Sequence, residues 1–164
     1  MKKASPLEAR VRSRKALKAE LLATLEATLA TLEAAHADAR AGATHEQAKP
    51  ENDKDTRALE QSYLARGQAA RIETLKAGIA ALSTMSLADG EVGRLGALID
   101  AEEDDAEVCF FLAPEGGGTK LKGGVQVVTP ASPLGRALLG KRAGDEVELK
   151  LAGKTRVLAV LEVC

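Results

Sequence analysis

The chain has 164 residues and a net charge of −1, which fits one ordinary domain or two small ones and gives no general case for phosphate-driven nucleic-acid binding. Its hydrophobic fraction of 45% supports a core, yet only 2% is aromatic: no Trp, Tyr63 alone, and Phe110 and Phe111. The apolar content is mostly Ala and Leu, the composition of long helices and coiled coils, and no run approaches the roughly 18 apolar residues of a membrane span.

The amino-terminal stretch "MKKASPLEAR" has lysines but no apolar segment of a secretory leader, so a soluble, cytoplasmic protein with no membrane partner is expected. "SPLE" at Ser5–Glu8 carries a helix-start signature: Ser5 can cap, Pro6 suits the first helical position and Glu8 completes a capping box. Leu17, Leu21, Leu25, Leu29 and Leu32 then recur every three or four residues and draw one apolar stripe down a helix. The run Leu7–Ala41, stopped by Gly42, would be about 50 Å long.

A second helix is expected to begin near Asp53 or Asp55. Ala65, Ala69, Ile72, Leu75, Ile79 and Leu82 form its stripe, which ends near "STMSLADGE". Two narrow stripes joined by a short link make an antiparallel αα-hairpin. The remaining residues would form a body with a radius of gyration of only about 12 Å, so the hairpin tip should project. That tip, about residues 42–55, holds Glu46, Glu51, Asp53 and Asp55 with almost nothing apolar beside them. Asp53 and Asp55 have a plain alternative role as helix-start caps, worth about 1 kcal/mol.

After Leu87 the composition changes. "VGRLGALIDA", "EVCFFLAP", "GVQVVTP", "DEVELKL" and "KTRVLAVLEV" read as short strands separated by Gly- and Asp-rich turns. "SPLGRALLG" interrupts them as one short helix, capped by Ser132, opened by Pro133 and stopped by Gly140. The expected fold class is α+β: a coiled-coil hairpin over 1–84, then a small, mostly antiparallel sheet domain over 85–164.

Several strings invite a site and fail on spacing. "EGGGTKLKGG" lacks the order of a phosphate loop and is expected to be a flexible hairpin connection. "AEEDDAE" lacks the spacing of a calcium loop and reads as a solvated turn. Cys109 and Cys164 give no framework for a disulfide or a metal, and His36 and His45 are expected to be exposed. "SYLARGQAAR", with Tyr63 and Leu64, suits either ordinary packing or a surface where the hairpin meets a partner.

The most specific string is "VVTPASPLGRALLGKRAGDEVELKL", Val127–Leu151. It resembles the carboxy-terminal domain of the bacterial Gre transcript-cleavage factors, in which a Ser-Pro-led helix, "ALLGK" and "GDEV" follow in this order. That family joins an antiparallel coiled coil to an FKBP-like domain. The resemblance implies a monomeric, cytoplasmic transcription elongation factor, not itself an enzyme. It would bind bacterial RNA polymerase, insert its coiled coil in the secondary channel and meet the nascent RNA 3′ end indirectly. Acids at the tip would help hold Mg²⁺ in the polymerase active site and so stimulate cleavage of backtracked RNA. The residues in position for that catalytic and metal-holding role are Glu51, Asp53 and Asp55. Glu51-Asn52 matches the family's Glu-Asn pair, but Ala48, Lys49 and Pro50 stand where an upstream Asp is expected. This leaves open a Gre-fold regulator that binds polymerase without stimulating cleavage. Prolyl isomerisation is excluded on the residues: Phe110 and Phe111 are adjacent, so a strand places them on opposite faces.

Overall fold

The structure, a computed structural model, describes residues 14–44 and 56–164. Helix α1 spans Arg14–Thr44 and helix α2 spans Thr56–Thr84. Strands β1 (Leu98–Glu103), β2 (Ala106–Leu112), β3 (Gln126–Val128), β4 (Glu146–Leu151) and β5 (Lys154–Val163) follow, with helix α3 (Pro133–Leu138) between β3 and β4. The expected start at Ser5–Glu8 lies outside the described residues. At the other end, α1 runs on through Gly42 to Thr44, past the expected stop. One glycine costs a helix only about 1 kcal/mol, which cooperative hydrogen bonding on both sides absorbs.

The two long helices pair antiparallel. Lys18 at the foot of α1 donates to the carbonyls of Ser83 (2.9 Å) and Met85 (2.8 Å). Farther up, Glu33 meets Lys76 at 2.8 Å. Leu17, Leu21 and Leu25 are buried along one stripe, against Ile72, Leu75 and Leu82 along the other. The expected helical registers are therefore the ones that pack.

The five strands form one sheet in the order β3-β2-β1-β5-β4. Every neighbouring pair is antiparallel except β2 and β3, which run parallel. That parallel pair corrects one expectation. Residues 113–125, including the glycine-rich stretch, are not a simple hairpin connection from β2 to β3, because a parallel pair needs a crossover; within that crossover Lys120 folds back to pair antiparallel with Gln126. The crossover is also well packed. Gly118 N–H donates to Val127 O and Val127 N–H to Thr119 O, both at 2.8 Å. Gly116, at φ +86°, lies so close to α1 that a Cβ would stand 2.8 Å from a Leu21 methyl. Glu115 lies over Gly78 of α2, where a Cβ would come within 2.5 Å of its side chain. Gly116 thus serves close approach, whereas Gly118, Gly123 and Gly124 have open space around them and serve the positive φ of their turns.

Side chains alternate across the sheet and divide the core in two. On one face Leu98, Cys109, Phe111, Val127 and Cys164 pack with Leu17, Leu21, Leu25, Leu75 and Leu82 from the foot of the hairpin. On the other, Ile99, Phe110, Leu112, Val128, Val147, Leu149, Leu158, Val160 and Val163 pack with Leu138 of α3. Phe110 and Phe111 thus sit on opposite faces, as their adjacency requires. The Ser132 hydroxyl accepts the Gly135 N–H at 3.0 Å, so the expected cap and Pro133 start of α3 are both present.

Two tight turns close the antiparallel hairpins. Asp104 and Asp105 at φ 51° and 60° join β1 to β2, and Ala152 and Gly153 at φ 47° and 81° join β4 to β5. Aspartate tolerates this left-handed region, but alanine meets its own carbonyl there at a cost of about 1 kcal/mol. Ala152→Gly is accordingly expected to raise stability by about 0.5 kcal/mol, read as a rise in urea midpoint at constant slope.

On the α3 face of the sheet, Arg156 reaches Glu103 with two bonds, Nε to Oε1 at 2.5 Å and Nη2 to Oε2 at 2.7 Å. The hydrogen bonds from Arg156 hold the Glu103 carboxyl below its ordinary range, against the opposing effect of burial. A lowered carboxylate contributes stability above its unfolded value and loses it as pH falls through the folded one. Arg156→Met should therefore cost about 0.5–1 kcal/mol at pH 7, the pair being partly solvent-screened. Wild-type and variant urea curves should converge as the medium is acidified below the usual carboxylate range.

Candidate functional site at the distal end of the hairpin

The hairpin changes character along its length. At the foot, Leu21, Leu75 and Leu82 are fully buried. Farther out, Leu29, Leu32 and Ile79 are only half-buried, and beyond Ile72 the stripe of α2 continues as Ala69 and Ala65. Small residues there leave a cavity of about 300 Å³ between the helices, lined by Glu33, His36, Ala69, Ile72, Glu73 and Lys76. His36 is half-buried in this seam rather than exposed, and its Nδ1 and the Gln68 Oε1 are buried without a hydrogen-bond partner among the described residues. The stripe arithmetic should have found it: His36 follows Leu29 and Leu32 by seven and four residues, so it continues their face. Lys76 is held above the ordinary lysine range, chiefly by its hydrogen bond to Glu33 and then by that carboxylate's charge.

Glu51, Asp53 and Asp55 lie outside the described residues, as do Glu46 and His45. Their place in the chain is nonetheless set by what surrounds them. Residues 45–55 join Thr44, the last residue of α1, to Thr56, the first of α2. With 31 residues in α1, the end of that helix stands about 46 Å along the hairpin from its foot. The acidic segment therefore connects the ends farthest from the sheet. Among the described residues no group of three or more His, Cys, Asp or Glu is placed to hold a metal ion. The donor set of the connecting segment is carboxylate, the hard oxygen ligand that suits Mg²⁺.

Just below that segment, α2 exposes apolar groups. Leu59, Tyr63 and Leu64 are 60%, 65% and 67% exposed. Packing among the described residues does not cover Tyr63 and Leu64.

The fold order, a hairpin and then a five-stranded sheet with one capped helix, can now be set beside known proteins. Residues 95–164 match the family model described as "Transcription elongation factor, GreA/GreB, C-term". Residues 95–164 of this chain are thus similar to a GreA/GreB carboxy-terminal domain. It is 28% identical over 115 residues to transcription elongation factor GreA of Magnetococcus marinus, a match covering 69% of this chain and 71% of that protein. It is 37% identical over 68 residues to GreA of Nautilia profundicola, covering 41% and 39% of the two chains. Among solved structures it is similar to GreA factor homolog 1 of Thermus thermophilus, with 21% identity, a TM-score of 0.39 and coverage of 87% and 94%. The matched region begins just before β1 and spans the whole sheet with α3. No described helix is long and apolar enough to cross a membrane.

Proposed function

We propose that this chain is a Gre-type, cytoplasmic transcription elongation factor that binds bacterial RNA polymerase and stimulates cleavage of backtracked RNA. It acts as an accessory factor, completing the polymerase's own site. One observation carries the reading: the acidic segment 45–55 joins the distal ends of two helices, some 46 Å from the foot of the hairpin. A stalk of that length delivers carboxylates into a channel that the sheet domain cannot enter. Glu51, Asp53 and Asp55 would supply oxygen ligands to Mg²⁺ shared with the polymerase, not held stably by this chain alone. Bound there, Mg²⁺ supplies Lewis acidity and makes water a better nucleophile toward a phosphodiester. The exposed Leu59, Tyr63 and Leu64 support contact with channel walls near the tip.

A second reading rests on the tip itself. Ala48, Lys49 and Pro50 stand upstream of Glu51 where the Gre pattern expects an acid, and this favours a channel regulator that binds without stimulating cleavage. A cleavage assay on a backtracked elongation complex separates the two. RNA shortening with the wild-type chain well above the polymerase's intrinsic rate supports the first. Tight binding with no added cleavage establishes the second, and failure to bind polymerase removes both.

A further inference from the structure

The apolar stripe of α1, read backward from Leu25 through Leu21 and Leu17, reaches Arg14. A leucine there would simply extend the seam. Arg14 is instead buried at 3% exposure, the one charged residue in the interior among the described residues. Its Nη1 donates to the Ala88 carbonyl at 3.3 Å and its Nη2 meets the Asp89 carboxylate. Ala88 and Asp89 belong to the link between α2 and β1, which carries the hairpin onto the sheet domain. Arg94 ties the same two residues from the other side, through the carbonyls of Ala88 and, at 2.6 Å, Asp89. The link is then fastened to the end of α3: Gly93 N–H donates to Lys141 O and Gly140 N–H to Gly93 O, both at 2.8 Å. A continuous series of bonds therefore runs from the foot of α1 through the link to α3.

We infer that Arg14 is a positioning residue, whose buried guanidinium sets the angle between the hairpin and the sheet domain and so the placement of the distal acids. The functional half of this inference rests on the proposed role in transcript cleavage. Leverage makes the foot decisive. A tilt of about 10° there displaces the end of a 46 Å helix by about 8 Å, whereas a misplacement of about 1 Å at a reacting centre can cost a hundredfold in rate. Apolar packing alone is non-directional and leaves such a tilt cheap. An arginine fork bound to two consecutive residues has a fixed geometry. Removing it should loosen the angle more than it weakens the fold, because Asp89 is itself 87% exposed and is readily solvated.

The angle can be measured without polymerase. Spin labels at Ala39→Cys and Thr155→Cys, both exposed positions, in a full-length Cys109→Ala, Cys164→Ala background, report it by pulsed electron resonance. We expect one narrow distance in the parent. In Arg14→Met it should shift or broaden by about 5 Å or more, and in Asp89→Ala by a smaller amount. Asp89→Ala alters only a surface side chain, so it serves even if Arg14→Met folds poorly. Distributions that superimpose on the parent overturn the inference. With polymerase, Arg14→Met should bind within threefold of wild type yet stimulate cleavage at least tenfold less, with partial recovery in Arg14→Lys. Broadening without loss of cleavage also overturns the positioning role. A wild-type chain that stimulates no cleavage would defeat the proposed function instead, and the distance measurement would still decide the joint.

Discussion

Changing Glu51, Asp53 and Asp55 together to alanine is expected to abolish stimulation of transcript cleavage, a loss of at least about a hundredfold, while polymerase affinity stays within a few fold. The separation follows from the layout. On the proposed function, contact with polymerase is made by the exposed Leu59–Leu64 region and the sheet domain, whereas the three acids belong to the short segment that joins the distal helix ends. Charge delivered to a reacting phosphodiester counts in the transition state more than in the resting complex, so the rate falls and affinity does not. Asparagine variants then divide the metal role from helix capping. Asn caps a helix start about as well as Asp, so Asp53→Asn and Asp55→Asn should leave thermal stability within about 0.5 kcal/mol of wild type. Asn is a far poorer ligand for a hard cation, so the residue that contributes to Mg²⁺ should lose cleavage even as Asn. An acid whose alanine variant is destabilised and whose Asn variant is fully active is a cap.

The largest stability effect is expected at the foot of the hairpin. Leu21 is fully buried where α1, the crossover loop and the sheet meet, with the Gly116 backbone lying directly against its methyl groups. Leu21→Ala should cost about 3–5 kcal/mol, from lost transfer energy plus a cavity that the close-fitting crossover cannot collapse to fill. Leu32→Ala, higher on the same stripe and only half-buried, should cost about 1 kcal/mol. Urea unfolding of the two variants, followed by circular dichroism, provides the measurement. Equal losses would mean that the hairpin is stabilised evenly along its length rather than from its foot. The same contrast predicts that amide exchange is slowest near Leu21 and Leu75 and faster around His36 and Ala69, where the seam is thin.

Much of this architecture is legible in the chain because local rules are strong where periodicity is strong. Leu17, Leu21 and Leu25 repeat at helical spacing, and a helix whose apolar residues share one stripe has only one way to bury them. Ser132 and Pro133 start α3 through chemistry confined to four residues. Phe110 and Phe111 separate onto two faces because strand geometry permits nothing else. Prediction from residue type weakened where the outcome depends on a neighbour distant in sequence. The stretch Glu115–Gly124 suggests looseness by composition, yet its Gly116 lies against Leu21, its Glu115 lies over Gly78 of α2, and β3 pairs parallel to β2. His36 reads as exposed in isolation but is half-buried because Ala69 and Ile72 stand across the seam.

Composition and spacing alone thus determined the long hairpin, the capped helix, the strand set and the placing of Glu51, Asp53 and Asp55 between the helices. Each depends on interactions within a few residues or on one repeating period. Tertiary structure decided how the hairpin is mounted. Arg14 sits on a leucine stripe and carries no local sign of its role; only folding brings Ala88 and Asp89, some 75 positions away, to its guanidinium. Packing between distant segments depends on which surfaces meet, and no short window of sequence contains both.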